Sequence, residues 1–169
     1  MISSNLKPTG TERAEYPAAA PIGAGMALRR ESIQPWLNRF GQDVLPDRHG
    51  AQLTSGGDND IVFSVLENGW SVGYFPELRL THLIPASRIQ PEYLARLNRG
   101  IQHSWMQVLT RHGANPWPQI PAWTVPFRQA KAWITHRAWS SPAARIRWSG
   151  ACGHFSGRTI MNGADQSRR

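Results

Sequence analysis

Leu78-Arg79-Leu80-Thr81-His82-Leu83-Ile84-Pro85 is the stretch on which the fold turns. Leu78, Leu80, His82 and Ile84 occupy alternate positions, the period of an extended strand with one buried face. Just upstream, Trp70-Ser71-Val72-Gly73-Tyr74 alternates in the same way. Further back, Pro21-Ile22-Gly23-Ala24-Gly25-Met26-Ala27-Leu28-Arg29-Arg30 mixes small and apolar residues as a short buried strand does. Helical patterns lie between and after these segments, so the alternation predicts an α/β fold.

The helical patterns have recognisable ends. Ser55-Gly56-Gly57-Asp58-Asn59-Asp60 is a glycine-rich turn that feeds an apolar run. Asp58 is placed to cap that helix, Ile61, Val62, Val65 and Leu66 form its apolar face, and Asn68-Gly69 stops it. Residues 31–40 suit a short helix or turn with Pro35 near its start, and residues 41–54 suit a loop. Pro91 opens a longer helix in which Leu94, Leu97, Ile101, Trp105 and Val108 recur at spacings of three and four, as far as Gly113. Asn115-Pro116-Trp117-Pro118-Gln119-Ile120-Pro121 is a rigid connector. Residues 127–139 form an amphipathic helix with Arg128, Lys131 and Arg137 among Trp133, Ile134 and Trp139. Pro142 starts a last helix, whose Gly150, Gly153 and Gly157 either permit close packing or weaken it. Residues 1–20 lack any period and suit a flexible lead-in, and residues 161–169 suit a disordered tail.

Composition narrows the function classes. The 169 residues suffice for one domain with a modest core, or for a fragment of a larger one. The lone Cys152 excludes an internal disulfide framework. Neither a signal-peptide pattern nor a run of roughly 18 apolar residues is present, so the expected location is cytoplasmic. Charge is divided unevenly. Residues 1–92 carry eight Lys/Arg and ten Asp/Glu, whereas residues 93–164 carry nine Lys/Arg, six of the eight tryptophans and no acid. Such a half seeks an anionic partner. Amphipathic helices with Trp and Arg suit the anionic inner face of a membrane, and the same residues suit an ordinary helical core. A basic, aromatic half could also stack bases and neutralise phosphates, but no nucleic-acid module is recognisable, and nucleic acid is not the expected partner.

Candidate chemistry sits around the carboxylate turn. Asp58 at a helix N-terminus stays ionised and could act as a general base, or serve only as a cap. Asp60 suits the first turn of a helix and could also offer hard oxygen to Mg²⁺ or Mn²⁺. His82 is either a core histidine or a residue lining a cleft at a strand end. Gly23-Ala24-Gly25 would let backbone approach a ligand. His49, His103, His112, His136 and His154 show no metal-ligand spacing, and Cys152-Gly153-His154 is too sparse for zinc.

Taken in order, these pieces resemble the C-terminal part of family 2 glycosyltransferases, inverting enzymes of the GT-A fold. Gly23-Ala24-Gly25-Met26-Ala27-Leu28-Arg29-Arg30 is similar to that family's Gly-x-x-x-Ala-x-Arg-Arg strand beside the sugar site. Gly56-Gly57-Asp58-Asn59-Asp60-Ile61 is similar to its Gly-Glu-Asp-x-Asp-Leu motif, with Gly57 where the family has Glu. Residues 69–76 are similar to the stretch that follows, and His82, Ile84-Pro85 and Arg88 to its His-x-Ile-Pro-x-x-Arg. The resemblance spans residues 21–112, with weaker echoes to about residue 160.

It implies transfer of a sugar from a nucleotide-sugar donor to an acceptor hydroxyl, with inversion, in envelope or exopolysaccharide synthesis. Asp58 would be the base, Asp60, His82 and Arg88 would support the metal or diphosphate, and Gly23, Ala24, Gly25, Gly56 and Gly57 would line the substrate. The family's nucleotide-binding half, with its Mg²⁺- or Mn²⁺-binding Asp-x-Asp, has no counterpart here. The resemblance therefore implies a truncated or split enzyme, inactive alone, whose missing half would be a separate chain. On that reading, residues 21–113 are the acceptor-side half, and residues 114–160 a basic, tryptophan-rich helical extension. The alternative is a non-catalytic basic protein that binds nucleic acid or a membrane surface.

Overall fold

The computed structural model of the protein describes residues 16–21, 23–39 and 56–159. The expected loop at 41–54, most of the lead-in and the tail lie outside them. Among the described residues the regular elements are five α-helices: α1 (Arg30–Arg39), α2 (Gly57–Glu67), α3 (Pro91–Arg111), α4 (Val125–Thr135) and α5 (Pro142–Gly157). Short 3-10 turns occur at Gly23–Gly25, Ala86–Ile89 and Ala122–Thr124.

Local chemistry explains the helix ends. Pro91 and Pro142 stand in the first turns of α3 and α5, where the missing N–H costs nothing. The Ser141 side chain accepts the Ala144 amide at 3.1 Å and caps α5. Gly69 and Gly113 adopt φ of 81° and 63°, the left-handed conformation that closes a helix. Trp70 N–H then reaches the Val65 carbonyl at 3.2 Å, and Ala114 N–H the Leu109 carbonyl at 2.9 Å. Two local expectations need correction. Gly56, not Asp58, is the N-cap of α2, and Pro35 lies inside α1 rather than near its start.

α3 is the spine. α5 lies along it on a glycine seam: a Cβ at Gly153 would sit 2.0 Å from the Arg99 carbonyl oxygen, and one at Gly157 would sit 2.6 Å from that of His103. The three glycines of α5 thus serve close packing. Ser149 Oγ donates to the Ala95 carbonyl at 2.7 Å, and Asn98 Nδ2 donates to that of Ile146 at 2.9 Å, so polar groups on the seam are paired. α4 rests on α5 through Trp133 and Trp148, with ring centroids 4.8 Å apart at 84°, and Trp148 Nε1 donates to the Gln129 carbonyl at 3.0 Å. At the C-terminal end of α3, Phe63, Met106, Val108, Leu109 and Ala114 form the apolar core, with Tyr16 and Trp105 against it.

The expected α/β fold with a partial GT-A-like mixed sheet is not what forms. Among the described residues the fold is helical, and β pairing is limited to one isolated parallel bridge, Ile120 with Thr159. Residues 23–29 hold a 3-10 turn and largely exposed irregular backbone instead of a buried strand. Residues 70–85 have the expected alternation but no ladder, and Leu78, Leu80 and Ile84 lie more than half exposed to solvent. Alternation stabilises a strand only through cross-strand neighbours and a covered face. Neither is provided here by the described residues.

Candidate functional site

Asp60 is the most enclosed residue that the sequence singles out, only 2% exposed. Its Oδ2 accepts Trp36 Nε1 of α1 at 2.7 Å, and its Oδ1 accepts His112 Nε2 at 2.9 Å, with the Arg111 guanidinium at 3.5 Å. His112 Nδ1 reaches Glu67 Oε1 at 2.6 Å, and the imidazole stacks on Phe63 with centroids 4.7 Å apart at 14°. Burial alone would raise the Asp60 pKa, but the His112 and Trp36 hydrogen bonds and the Arg111 charge hold it below the ordinary carboxylate value. Burial likewise pulls His112 down, and the two carboxylates more than reverse this. The two carboxylates thus favour the charged form of the ring, in which both nitrogens donate. This cluster ties α1, α2 and the end of α3 together, with both Asp60 oxygens occupied.

The remaining candidates lie outside this cluster. Asp58 Oδ2 accepts the Gly23 amide at 3.2 Å, and Oδ1 accepts the Asn59 amide at 2.9 Å. A Cβ on Gly25 would lie 3.3 Å from Leu80 Cδ2. The structure thus brings Asp58, the Gly23–Gly25 turn with exposed Ala24, and Leu80 into one neighbourhood, where Gly56 and Gly57 start α2. Beside it, the Tyr16 hydroxyl donates to Asn59 Oδ1 at 2.6 Å. Burial first, then the Asp58 charge, pushes its pKa up to about 12. His82 is exposed on the extended segment and makes no hydrogen bond or ion pair among the described residues. Arg88 Nε donates to the Tyr93 hydroxyl at 2.9 Å, with its guanidinium 5.7 Å from that ring's centroid. No hydrogen bond or ion pair joins any two of Asp58, Asp60, His82 and Arg88. Among the described residues no group of three or more His, Cys, Asp or Glu side chains could hold a metal ion.

A different surface gathers the unspent chemistry. Trp123 and Phe127 are 72% and 71% exposed, their rings in edge contact at 6.5 Å, and Ile134 is 66% exposed. Phe127, Lys131 and Ile134 follow the i, i+4, i+7 spacing of one helix face, while Ala132 and Trp133 face α5. Trp139, 59% exposed, extends the apolar surface past the end of α4. Arg128, Lys131 and Arg137 are exposed beside it. Burial first, then the nearby Arg128 charge, lowers the pKa of Arg158. Among the described residues no helix is long and apolar enough to cross a membrane.

Compared with known proteins, the chain matches no family model, no curated protein and no solved structure. The resemblance to family 2 glycosyltransferases is therefore corrected, together with the truncated sugar-transferring enzyme it implied. Its motifs sit on a helical fold whose described residues hold neither a GT-A sheet nor a nucleotide-binding half nor a metal cluster.

Proposed function

We propose that the protein is a non-catalytic module that attaches to an anionic membrane surface through α4 and its flanks. The observation that carries this reading is the exposed apolar row Trp123–Phe127–Ile134, set among Arg128, Lys131 and Arg137 in a stretch without a single acid. A helix that keeps large apolar groups in water on one face, with cations beside them, has the two chemistries an interface rewards. Removing a Trp, Phe or Ile side chain fully from water is worth roughly 1.5–3 kcal/mol. Each cation near an anionic leaflet adds about 1 kcal/mol. Together they suffice for reversible attachment and fall far short of a membrane span.

Sedimentation of the whole protein with vesicles tests it. Binding is expected to phosphatidylglycerol-containing vesicles at low salt, weaker at high salt, and weak to phosphatidylcholine alone. The Phe127→Ser, Ile134→Ser double variant should keep its far-UV circular dichroism and lose most of the binding. Failure of the wild type to sediment with anionic vesicles at low salt overturns the proposal. If the same sample shifts a single-stranded oligonucleotide in a strongly salt-dependent way, nucleic-acid binding takes its place.

A further inference from the structure

Every residue from 74 to 87 is exposed, on the connection between α2 and α3. Tyr74, Phe75, Leu78, Leu80, Leu83 and Ile84 are each more than half exposed, Leu83 by 84%. In an alternating run Leu83 stands opposite the face of Leu78, Leu80 and Ile84, so neither face is covered. The backbone is equally unpartnered. Among the described residues the main chain of 79–84 makes no hydrogen bond. The bonds that bracket it are Leu78 N–H to the Phe75 carbonyl at 3.1 Å and Arg88 N–H to the Pro85 carbonyl at 2.9 Å. A stretch with the strand period and open amides and carbonyls is a template for another strand.

Area and charge indicate which strand. Two aromatic and four aliphatic side chains exposed to this degree leave apolar surface on the order of 500 Å² in water. A standard interface covers about 800 Å² of each partner, about 60% of it apolar, so this stretch alone holds the apolar share of a stable pairing. An anionic surface is not its match, because residues 70–87 balance one acid, Glu77, against one arginine, Arg79. Two copies of a chain with net charge +8 repel one another, and they approach most easily where each is locally neutral. A second copy also brings an identical unpaired run.

We propose that residues 78–84 pair in antiparallel fashion with the same residues of a second copy, about a two-fold axis through Thr81. In that register Thr81 faces Thr81, Leu78 faces Ile84 and Leu80 faces His82, each pair on one side of the ribbon. Each Arg79 faces Leu83, four residues from the other Arg79, or about 14 Å, beyond the screening length at physiological salt. Pro76 and Pro85 lack an N–H and end the ladder on either side. The ribbon is not an isolated hairpin, since Leu80 Cδ2 lies 3.3 Å from where a Cβ on Gly25 would stand, against the body of the protein. The proposal does not rest on the membrane reading.

Sedimentation equilibrium of the whole protein from about 1 to 100 µM tests it, because interfaces of this size dissociate in the micromolar range or below. Wild type should approach twice the chain mass. Thr81→Pro should weaken the dimer tenfold or more, since each copy loses a ladder donor, and should keep its far-UV circular dichroism. The Leu78→Ser, Ile84→Ser double variant should weaken it as much without touching the backbone. Under mild oxidation Thr81→Cys should form a disulfide-linked dimer, because facing residues of antiparallel strands have Cα atoms about 4.5–5.5 Å apart. Ser87→Cys, exposed but six residues from the axis, should not, and buried Cys152 stays out of both reactions. A monomer throughout the range, or a dimer that both Thr81→Pro and the double variant leave intact, overturns the proposal. So does equal cross-linking at positions 81 and 87, or a mass that grows without stopping at two copies. If wild type stays monomeric and the double variant loses vesicle binding, lipid is the occupant instead.

Discussion

Replacing Gly153 by Ala probes the contact on which the α3–α5 pair is built. Two terms oppose each other. Alanine is favoured over glycine in a helix interior by about 1 kcal/mol, so a surface position would gain from the change. At Gly153 the new methyl would stand 2.0 Å from the Arg99 carbonyl oxygen and 2.8 Å from its carbon. Both are backbone atoms inside α3, so no side-chain rotation can make room. α5 must retreat by about an ångström, and such a gap forfeits a quarter to a half of each dispersion contact along the seam. Overpacking of this kind costs about 1–3 kcal/mol, and the upper end applies because the obstacle is backbone. The net expectation is destabilisation by about 2 kcal/mol, or a fall in Tm of roughly 4–8 °C for a chain of this size. Gly150→Ala supplies the contrast. Its obstacle is the Asn98 amide, which can swing away for the loss of one hydrogen bond, about 1 kcal/mol, and the helix gain nearly offsets that. Urea unfolding followed by far-UV circular dichroism measures both. A Gly153→Ala protein as stable as wild type, or a Gly150→Ala protein less stable than Gly153→Ala, refutes the packing argument.

Trp36→Phe keeps an aromatic ring, though a smaller one, and deletes the indole N–H donor to Asp60 Oδ2; it should cost about 1–3 kcal/mol in the same assay and raise the Asp60 pKa. The brace also sets a pH window. Because the folded state raises the His112 pKa, its contribution is full below the unfolded value of about 6.5 and is lost as pH rises through the raised one. The lowered Asp60 pKa works in the opposite sense, its contribution being present above about pH 4 and lost as acid protonates the folded carboxylate. Urea midpoints should therefore fall on both sides of a mildly acid optimum, and His112→Gln should flatten the alkaline limb. Ser141→Ala removes the cap of α5 and should cost about 1 kcal/mol, read from thermal melts.

Much of the helical framework was legible because its signals are local. Pro91 and Pro142 open helices, Gly69 and Gly113 close them, and the spacing of Leu94, Leu97, Ile101, Trp105 and Val108 marks a long amphipathic run, all within a few residues of the effect. The strands misled because their signal is conditional. Leu78, Leu80, His82 and Ile84 alternate whether or not a neighbouring strand exists, and no local pattern reports a missing partner. His112 was passed over for a related reason. It sits at the end of α3, where a cation suits the helix dipole. What gives it a role is a pair of carboxylates 45 and 52 residues earlier, which only the fold brings near. The motif order that resembled a glycosyltransferase failed at the same level, since spacing along the chain does not build the sheet that the resemblance implied.

The two ends of the molecule divide its polar chemistry by how completely it is spent. Where α1, α2 and the end of α3 meet, Asp60, His112, Trp36 and Glu67 consume one another, and Asp60, which the sequence offered as a possible metal ligand, is a tie between helices. A charge so fully paired holds shape and cannot recruit a ligand without surrendering that shape. Where α3, α4 and α5 meet, residues 93–164 supply no carboxylate to pair with Arg147, Lys131 or Arg137. The absence of acids from residues 93–164 thus has a structural counterpart: the helices there are joined by glycine contacts, stacked indoles and hydrogen bonds to carbonyls, none of which neutralises a cation. Cohesion by uncharged contacts is what leaves that face positive, and this is why the proposed membrane surface belongs to the α4–α5 side and not to the aspartate turn.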